Sequence, residues 1–254
     1  QALRNNTTGS NNTANGLDAL FSNTTGGSNT ANGRSALLDN TTGSSNVANG
    51  LFALRSNTTG SLNTAVGVDA GRYKQDGTNA TNFNNCAYLG YNTRASGSNQ
   101  VQLGDSNTTV YAYGSVQDRS DARDKTDVRD TLLGLDFIKS LRPVDFRWDM
   151  RDDYFDKEKV TLEDGTVEER LVPVTKDGSR ARERFHHGLI AQEVKTAADA
   201  QGVDFAGYQD HSVNGGVDVL SVGYTELIAP LIKAVQELSA ENVALKARLD
   251  AAGI

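Results

Sequence analysis

The chain has 254 residues, a hydrophobic content of 37% and a formal net charge of −7. That apolar share lies below the ~45–50% of ordinary globular domains, so burial has to come from repetition or from association. The acidic balance argues against a nucleic-acid face, and no apolar run reaches the ~18 residues of a membrane span. The charge is unevenly placed: residues 1–119 carry seven Lys/Arg and six Asp/Glu, for +1, and the remainder 18 and 26, for −8. Cys86 is the single cysteine, so no internal disulfide forms. With no histidine near it in sequence, it reads as a small buried residue rather than a nucleophile. No signal peptide opens the chain. A repeat is already running at Gln1, which gives the expectation of a C-terminal part of something longer.

Thr-Thr-Gly recurs at 7–9, 24–26, 41–43 and 58–60, a constant step of 17. Ala-Asn-Gly keeps that step at 14–16, 31–33 and 48–50 and becomes Ala65-Val66-Gly67 in the fourth copy. Columns at Ala19, Ala36, Ala53 and Ala70 and at Leu20, Leu37 and Leu54 share it. A fixed period of this kind means stacked supersecondary units. Gly and Asn supply the positive φ of tight corners, Thr suits short strands, and stacked Asn or Thr columns form hydrogen-bonded ladders. The copies are too short between glycines for helices, so they read as rungs of a β-roll or β-helix. One or two large apolar groups per rung look too few for a monomeric core, which leads to the expectation of three chains sharing them. After Tyr73 the period changes, with Gly90 and Gly104 14 apart. The run from Tyr88 to Gly104 resembles the head repeats of trimeric autotransporter adhesins, which implies trimeric β-roll rungs. Val110 to Val116 reads as one last strand. The many Asn-Thr-Thr triplets match a glycosylation acceptor but follow from the repeat composition.

Beyond Ser120 the chain becomes compositionally ordinary. Leu132, Leu135, Ile138 and Leu141 are spaced by three and read as a short helix stopped by Arg142-Pro143. Val144–Trp148 alternates as a strand. Residues 149–184 are dense in charge and carry Asp-Gly at 164–165 and 177–178, which predicts a polar hairpin or insertion. Phe185 to Val194 passes from strand to helix, and Val217–Val222 returns as a strand. His186 and His187 are adjacent and lack a third ligand, which argues against a metal; no cofactor is expected. In the last helix Ile228, Val235, Asn242 and Leu249 fall at a positions and Leu231, Leu238 and Leu245 at d, with Tyr224 extending the d series backwards. This is a coiled-coil seam with one polar a position to fix register. Thr225 and Glu226 offer a helix start, and Pro230 in the first turns is expected to kink it.

Ser120-Asp-x-Arg-x-Lys125, Phe146-Arg-Trp148, Gly188-Leu-Ile-Ala-Gln-Glu-Val194, and Tyr224 with a terminal heptad helix, in this order, resemble the intramolecular chaperone of endosialidase type. That family stands at the C-termini of phage tailspikes and tail fibres. The resemblance covers roughly residues 115–251 and implies a trimeric α+β domain that folds the fibre ahead of it and then cuts itself off. By position it implies Ser120 as nucleophile, Lys125 as general base and a cut between Arg119 and Ser120, with Asp121, Arg123 and His187 as candidate supports. The implied setting is the virion, with the chaperone part released in the host cytoplasm. The implied partners are the chain itself as a homotrimer, the fibre ahead of Gln1 and a host-surface glycan.

The chemistry stands on its own terms. A serine hydroxyl needs a base, and a lysine serves when desolvation or a neighbouring cation, such as Arg123, disfavours its charge. An offset of five residues puts Ser120 and Lys125 about 140° apart on an α-helix, so they meet through a turn or strand, or across a subunit interface. A plainer reading of Ser120-Asp-x-Arg is a helix start with Ser or Asp as N-cap. The expected organisation is a β fibre segment at 1–119, an α+β chaperone domain at 120–223 and a coiled-coil helix at 224–254. The competing function is a fibre tip that is never cut and binds host glycan. No Gly-x-Ser-x-Gly elbow or phosphate loop points to a hydrolase acting on other molecules.

Overall fold

The computed structural model describes residues 1–114, 116, 120–161, 167–213 and 216–253, without the side chains of 168 and 169. The chain divides into two compact units, and neither is continuous in sequence. One comprises Gln1–Tyr111, Asp149–Arg182 and His211–Val219; the other comprises Ala112–Trp148, Glu183–Asp210 and Leu220–Ile254.

The first unit is a β-solenoid of about five turns. Six three-residue strands, β1 (Thr13–Asn15), β2 (Thr30–Asn32), β3 (Val47–Asn49), β4 (Thr64–Val66), β5 (Ala87–Leu89) and β6 (Val101–Leu103), pair in parallel in chain order. Identical columns pair directly, Ala14 with Ala31 and Ala31 with Ala48. The step from β4 to β5 widens to 23 residues, seen in the Thr58–Thr81 ladder bond, and then falls to 14.

Each rung closes its interior within one chain. Ala19, Leu20, Ala31, Ala36, Leu37, Ala48, Ala53, Leu54, Ala65 and Ala70 are fully buried. Buried asparagines complete the filling: Asn40 Nδ2 donates to Asn23 Oδ1 at 2.8 Å and to Gly43 O at 2.9 Å, and Asn57 Nδ2 donates to Asn40 Oδ1 at 2.9 Å. The expectation that a rung holds too little for its own core is therefore corrected. The interior is filled by alanines, one leucine in each of three successive rungs and a hydrogen-bonded amide ladder. Cys86 ends a second ladder, its backbone N–H bonding Asn63 Oδ1 at 3.0 Å, and is buried as expected.

One swap shows how tightly the interior is matched. Tyr88 takes the strand position held by alanine in earlier rungs, pairing with Ala65, and is 1% exposed. In the corner column that carries leucine at 20, 37 and 54, the next residue is Gly71, with φ +67°. A Cβ there would lie 2.7 Å from Tyr88 Cδ2. The lost leucine makes room for the gained ring, and burial pushes the Tyr88 hydroxyl far above its ordinary range.

The charged insertion forms the expected hairpin, β8 (Phe155–Thr161) against β9 (Val167–Pro173); Asp164-Gly165 lies outside the described residues. It packs into the solenoid unit. The Phe155 ring sits where a Cβ on Gly77 would stand, 2.1 Å from Cε1. Arg94 stacks on that ring at 5.5 Å, and Ser106 Oγ donates to Asp153 Oδ1 at 2.7 Å. Val217 N donates to Ser96 O at 2.6 Å. Val110, Tyr111, Tyr113 and Val116 are exposed and outside any strand, which corrects the expected last strand. Among the described residues no strand pairs with them, and an extended segment without a partner has no ladder to hold it.

The second unit is α+β. Helix α1 (Leu135–Ser140) is shorter than the apolar spacing suggested, and its buried residue is Phe137, with Leu133 just ahead; Leu132 is 69% exposed. Leu132 precedes the helix, so helical periodicity does not apply to it. Strand β7 (Val144–Arg147) pairs antiparallel with β10 (Phe185–Gly188), and β11 (Tyr208–Asp210) with β12 (Leu220–Val222). Helix α2 (Ala191–Ala200) contributes Val194, Ala197 and Ala198 to a core with Phe137, Phe205 and Leu227. A 3₁₀ turn at Tyr224–Leu227 leads into α3 (Ile228–Ala252). Pro230 is the third residue of α3 and is buried, where its missing N–H has no intrahelical partner to lose. No helix among the described residues is long and apolar enough to cross a membrane.

Candidate functional site

The segment Ser120–Lys125 folds as a single 3₁₀ turn, Ala122–Asp124, between extended residues. Asp121 is its N-cap, accepting from Arg123 N at 2.9 Å, and Lys125 N closes the turn on Ala122 O at 3.2 Å. A 3₁₀ helix has three residues per turn, so one turn with an extended residue at each end returns the chain to the same side. Ser120 and Lys125 accordingly meet within one chain, Lys125 Nζ donating to Ser120 Oγ at 2.8 Å. The capping reading and the pairing reading are both realised: the cap builds the turn that joins the pair. Arg119 lies outside the described residues.

Arg123 does not face the lysine as a lone cation. Its guanidinium grips the Asp121 carboxylate, Nη2 to Oδ2 at 2.5 Å and Nε to both oxygens at 3.1 Å. The ion pair lowers the Asp121 carboxyl below its ordinary value and raises Arg123. The two side chains brace the turn and neutralise one another. Ser120 and Lys125 are both exposed.

His187 stands on β10 directly opposite Asp145 on β7, and its Nδ1 lies 2.5 Å from Asp145 Oδ1. Among the described residues no hydrogen bond joins His187 to Ser120 or Lys125. Its cross-strand acid was not singled out in the sequence; only the β7–β10 register reveals it. His186 stacks on Phe146 with ring centres 6.0 Å apart, and Phe146 meets Trp148 edge-on at 4.9 Å, so the Phe146-Arg-Trp148 motif serves an aromatic cluster. Among the described residues no group of metal-ligating side chains has the arrangement to hold an ion.

Two further motifs meet at Gly188. The Tyr224 hydroxyl accepts from Leu189 N at 2.9 Å, and a Cβ on Gly188 would lie 2.5 Å from that oxygen. Glu193, inside the same stretch, binds Arg142 through Oε1 at 2.5 Å and Oε2 at 3.1 Å.

Helix α3 turns Pro230 and Ala234 inward, in line with Leu227 at its N-cap. Glu237 on the same face accepts from Leu135 N at 2.7 Å, capping the start of α1. The heptad positions point elsewhere: Ile228, Leu231, Val235, Leu238, Leu245 and Leu249 are each 41–66% exposed, and Asn242 is exposed among them. The single chain thus carries an apolar seam along α3 that its own unit does not cover.

No curated protein and no solved structure matches the chain. A family model described as chaperone of endosialidase matches residues 120–203, about a third of the chain. The match opens on Ser120 and spans α1, the β7–β10 pair and α2. Residues 120–203 are thus similar to the chaperone of endosialidase family, which supports the resemblance drawn from the sequence motifs.

Proposed function

We propose that residues 120–254 form an intramolecular chaperone at the end of a phage tail fibre or tailspike. It gathers three chains through α3, lets the solenoid fold, and then severs itself between Arg119 and Ser120. The observation that carries this reading is the 2.8 Å contact between Lys125 Nζ and Ser120 Oγ at the first residue of the family match.

In the reaction, Ser120 Oγ adds to the carbonyl carbon of Arg119 while Lys125 takes the hydroxyl proton. The Arg119–Ser120 C–N bond then breaks, and the proton passes to the departing amine. The acyl group is left as an ester on Ser120 Oγ, and water hydrolyses it to free the Arg119 carboxylate and regenerate the hydroxyl. Peptide plus one water becomes two chains. The base must be a neutral amine, and removal from water favours that form. A solvent-facing pair gains this condition when a neighbouring subunit covers it, so assembly gates the cut. In this reading the fibre belongs to the virion and the severed chaperone stays behind in the host cytoplasm.

The test is the mass of refolded protein under denaturing conditions, beside Ser120→Ala. Denaturant is needed because residues 149–182 and 211–219 pack with the solenoid in one unit and would hold the two products together. Two fragments summing to the intact chain plus one water, replaced by a single intact chain in Ser120→Ala, support the proposal. Intact wild type assembled as a trimer, or a variant that is still cut, overturns it.

A further inference from the structure

The solenoid unit holds a cavity that the self-cutting reaction does not use. It lies between the rungs of β5 and β6 and the segment that carries the Arg151–Asp153 turn and β8, and has a volume of about 430 Å³. Every residue that lines it belongs to the first of the two units. Gln75, Asn92, Gln102 and Asn107 supply amides to its walls, and Tyr91 and Phe155 supply rings.

The charged groups around it are engaged with the protein. Arg94 stacks on the Phe155 ring at 5.5 Å, and it donates through Nη1 to Asp152 O at 3.3 Å and through Nε to Asn92 Oδ1 at 3.4 Å. Asp153 accepts from Ser106 Oγ at 2.7 Å and from Arg182 Nη2 at 3.2 Å. Asp105 accepts from Asn107 N at 3.0 Å and from Thr108 Oγ1 at 3.1 Å. In the lining, Asp105, Asp152 and Asp153 outnumber the cations Arg94 and Lys157, so an entering anion meets net negative charge.

The Gln75 amide differs from these groups. Its side-chain oxygen is buried and has no hydrogen-bond partner, while its backbone N–H donates to Ala95 O at 3.2 Å and fixes the residue beside the cavity. A stranded buried acceptor is costly, and a donor that reaches it recovers the loss. Burial also raises the Asp152 carboxyl above its ordinary value although Arg94 stands near, and donors that reach the ionised form favour it. Side-chain amides both donate and accept, as hydroxyl groups do, so the two pair in either sense. Tyr91 offers the open ring: it is 53% exposed at the corner after β5, whereas Phe155 is covered by Arg94 and Gly77. A ligand suited to this lining is uncharged, bears several hydroxyls and has an apolar face to lay on a ring, as a pyranose does. The volume falls within the range of small-molecule sites.

We propose that the cavity bordered by Gln75, Tyr91 and Asp152 binds a neutral saccharide, one pyranose ring lying on Tyr91 with its hydroxyls on the amides and the Asp152 carboxylate. The site lies wholly within the solenoid unit and is independent of cutting.

The test is binding of the full-length chain to an array of neutral and acidic glycans, followed by calorimetric titration with the neutral glycan held best. Neutral glycans are expected to be retained and those ending in uronate or sialate rejected. Tyr91→Ala removes the ring at an exposed position and is expected to weaken binding about tenfold, with the unfolding midpoint unchanged. Gln75→Met removes the stranded oxygen, so the midpoint is expected to rise while affinity falls about fivefold. A purely structural Gln75 would move the midpoint and leave affinity as it was. The proposal is overturned if no neutral glycan binds at millimolar concentration, if acidic glycans bind as well as neutral ones, or if both variants keep wild-type affinity.

Discussion

Lys125 Nζ and Ser120 Oγ lie 2.8 Å apart across a single 3₁₀ turn of one chain. On the proposed mechanism both reacting side chains come from one chain, and mixing chains that each lack one of them cannot restore the pair. Mixed trimers of Ser120→Ala and Lys125→Ala chains are therefore expected to stay uncut. Fragments in the mixture, read by denaturing mass spectrometry, would move the pair to an interface between subunits. The turn itself depends on Asp121, which caps it and holds Arg123. Asp121→Ala is expected to lower the population of the turn by the ~1 kcal/mol typical of a lost N-cap and so to slow the cut about fivefold, with no change in the site of cleavage.

Asn40 is the central member of its ladder, bonded to Asn23, Asn57 and the Gly43 carbonyl. Asn40→Ala strands two amide groups and a carbonyl in a dry interior, and is expected to cost about 2–4 kcal/mol. Asn6 sits at the open end, half-buried, with one rung above it. Asn6→Ala is expected to cost about 1 kcal/mol. Denaturant unfolding of the solenoid signal compares the two, and equal costs would mean that the ladder is not cooperative along the stack.

How far this architecture was legible depends on the range of the contacts. The 17-residue columns reported strands, corners and ladders, because neighbouring rungs repeat one local conformation. The exchange of Ala for Tyr88 was hidden, since the step from β4 to β5 widens by six residues; Gly71 keeps the step of 17 from Leu54, but nothing in the pattern joined its missing side chain to the Tyr88 ring. The offset of five between Ser120 and Lys125 excluded a shared α-helical face. It left the turn unassigned, because a three-residue 3₁₀ turn has no periodicity to read. Leu132 was placed in a helix by a spacing of three, yet Gly134 and the remote Glu237 cap start that helix later. That the hairpin of residues 155–173 belongs with the rungs follows from Phe155, Arg94 and Gly77, partners too distant in sequence for any pattern to join them.

Gly188 leaves the space that the Tyr224 hydroxyl occupies, and that hydroxyl accepts the Leu189 N–H. Gly188→Ala adds a methyl 2.5 Å from the oxygen and 3.1 Å from Phe146 Cε1, and overpacking of this kind costs about 1–3 kcal/mol. Tyr224→Phe loses only the hydrogen bond, about 0.5–1.5 kcal/mol. The double variant Gly188→Ala/Tyr224→Phe should cost less than the sum, because the clash is with the atom removed. Strict additivity in denaturant unfolding of the Ser120→Ala chain would refute the contact.

Glu237 ties α3 to α1 through the Leu135 N–H, and that hydrogen bond holds its carboxyl below the ordinary value of 4.5. A lowered folded pKa means that the ionised form is favoured by folding. The stabilisation is full above pH 4.5 and is lost as pH falls through the lower folded value. Glu237→Gln keeps an acceptor oxygen but not the charge. Wild type is expected to exceed the variant in unfolding midpoint at neutral pH, and the gap should close as pH falls below 4.5 and through the lower folded value. A gap that persists unchanged into acid would show that the charge contributes nothing.

Leu238 and Leu245 are the middle d positions of the exposed seam on α3, 47% and 50% exposed, and neither belongs to the core formed by Phe137, Val194, Phe205 and Leu227. A seam with apolar a and d positions and one polar a residue is the pattern by which helices associate in fixed register. Leu238→Asp with Leu245→Asp places a charge in two successive layers of that seam while leaving the inward face of Leu227, Pro230 and Ala234 intact. Sedimentation of the refolded variant is expected to give one-chain mass with helical content retained, against three-chain mass for wild type. If assembly also dries the Ser120–Lys125 pair, the same variant should remain uncut although both residues are present. A three-chain mass for the variant would remove α3 as the assembling element, and a one-chain species that still cuts would separate cutting from assembly.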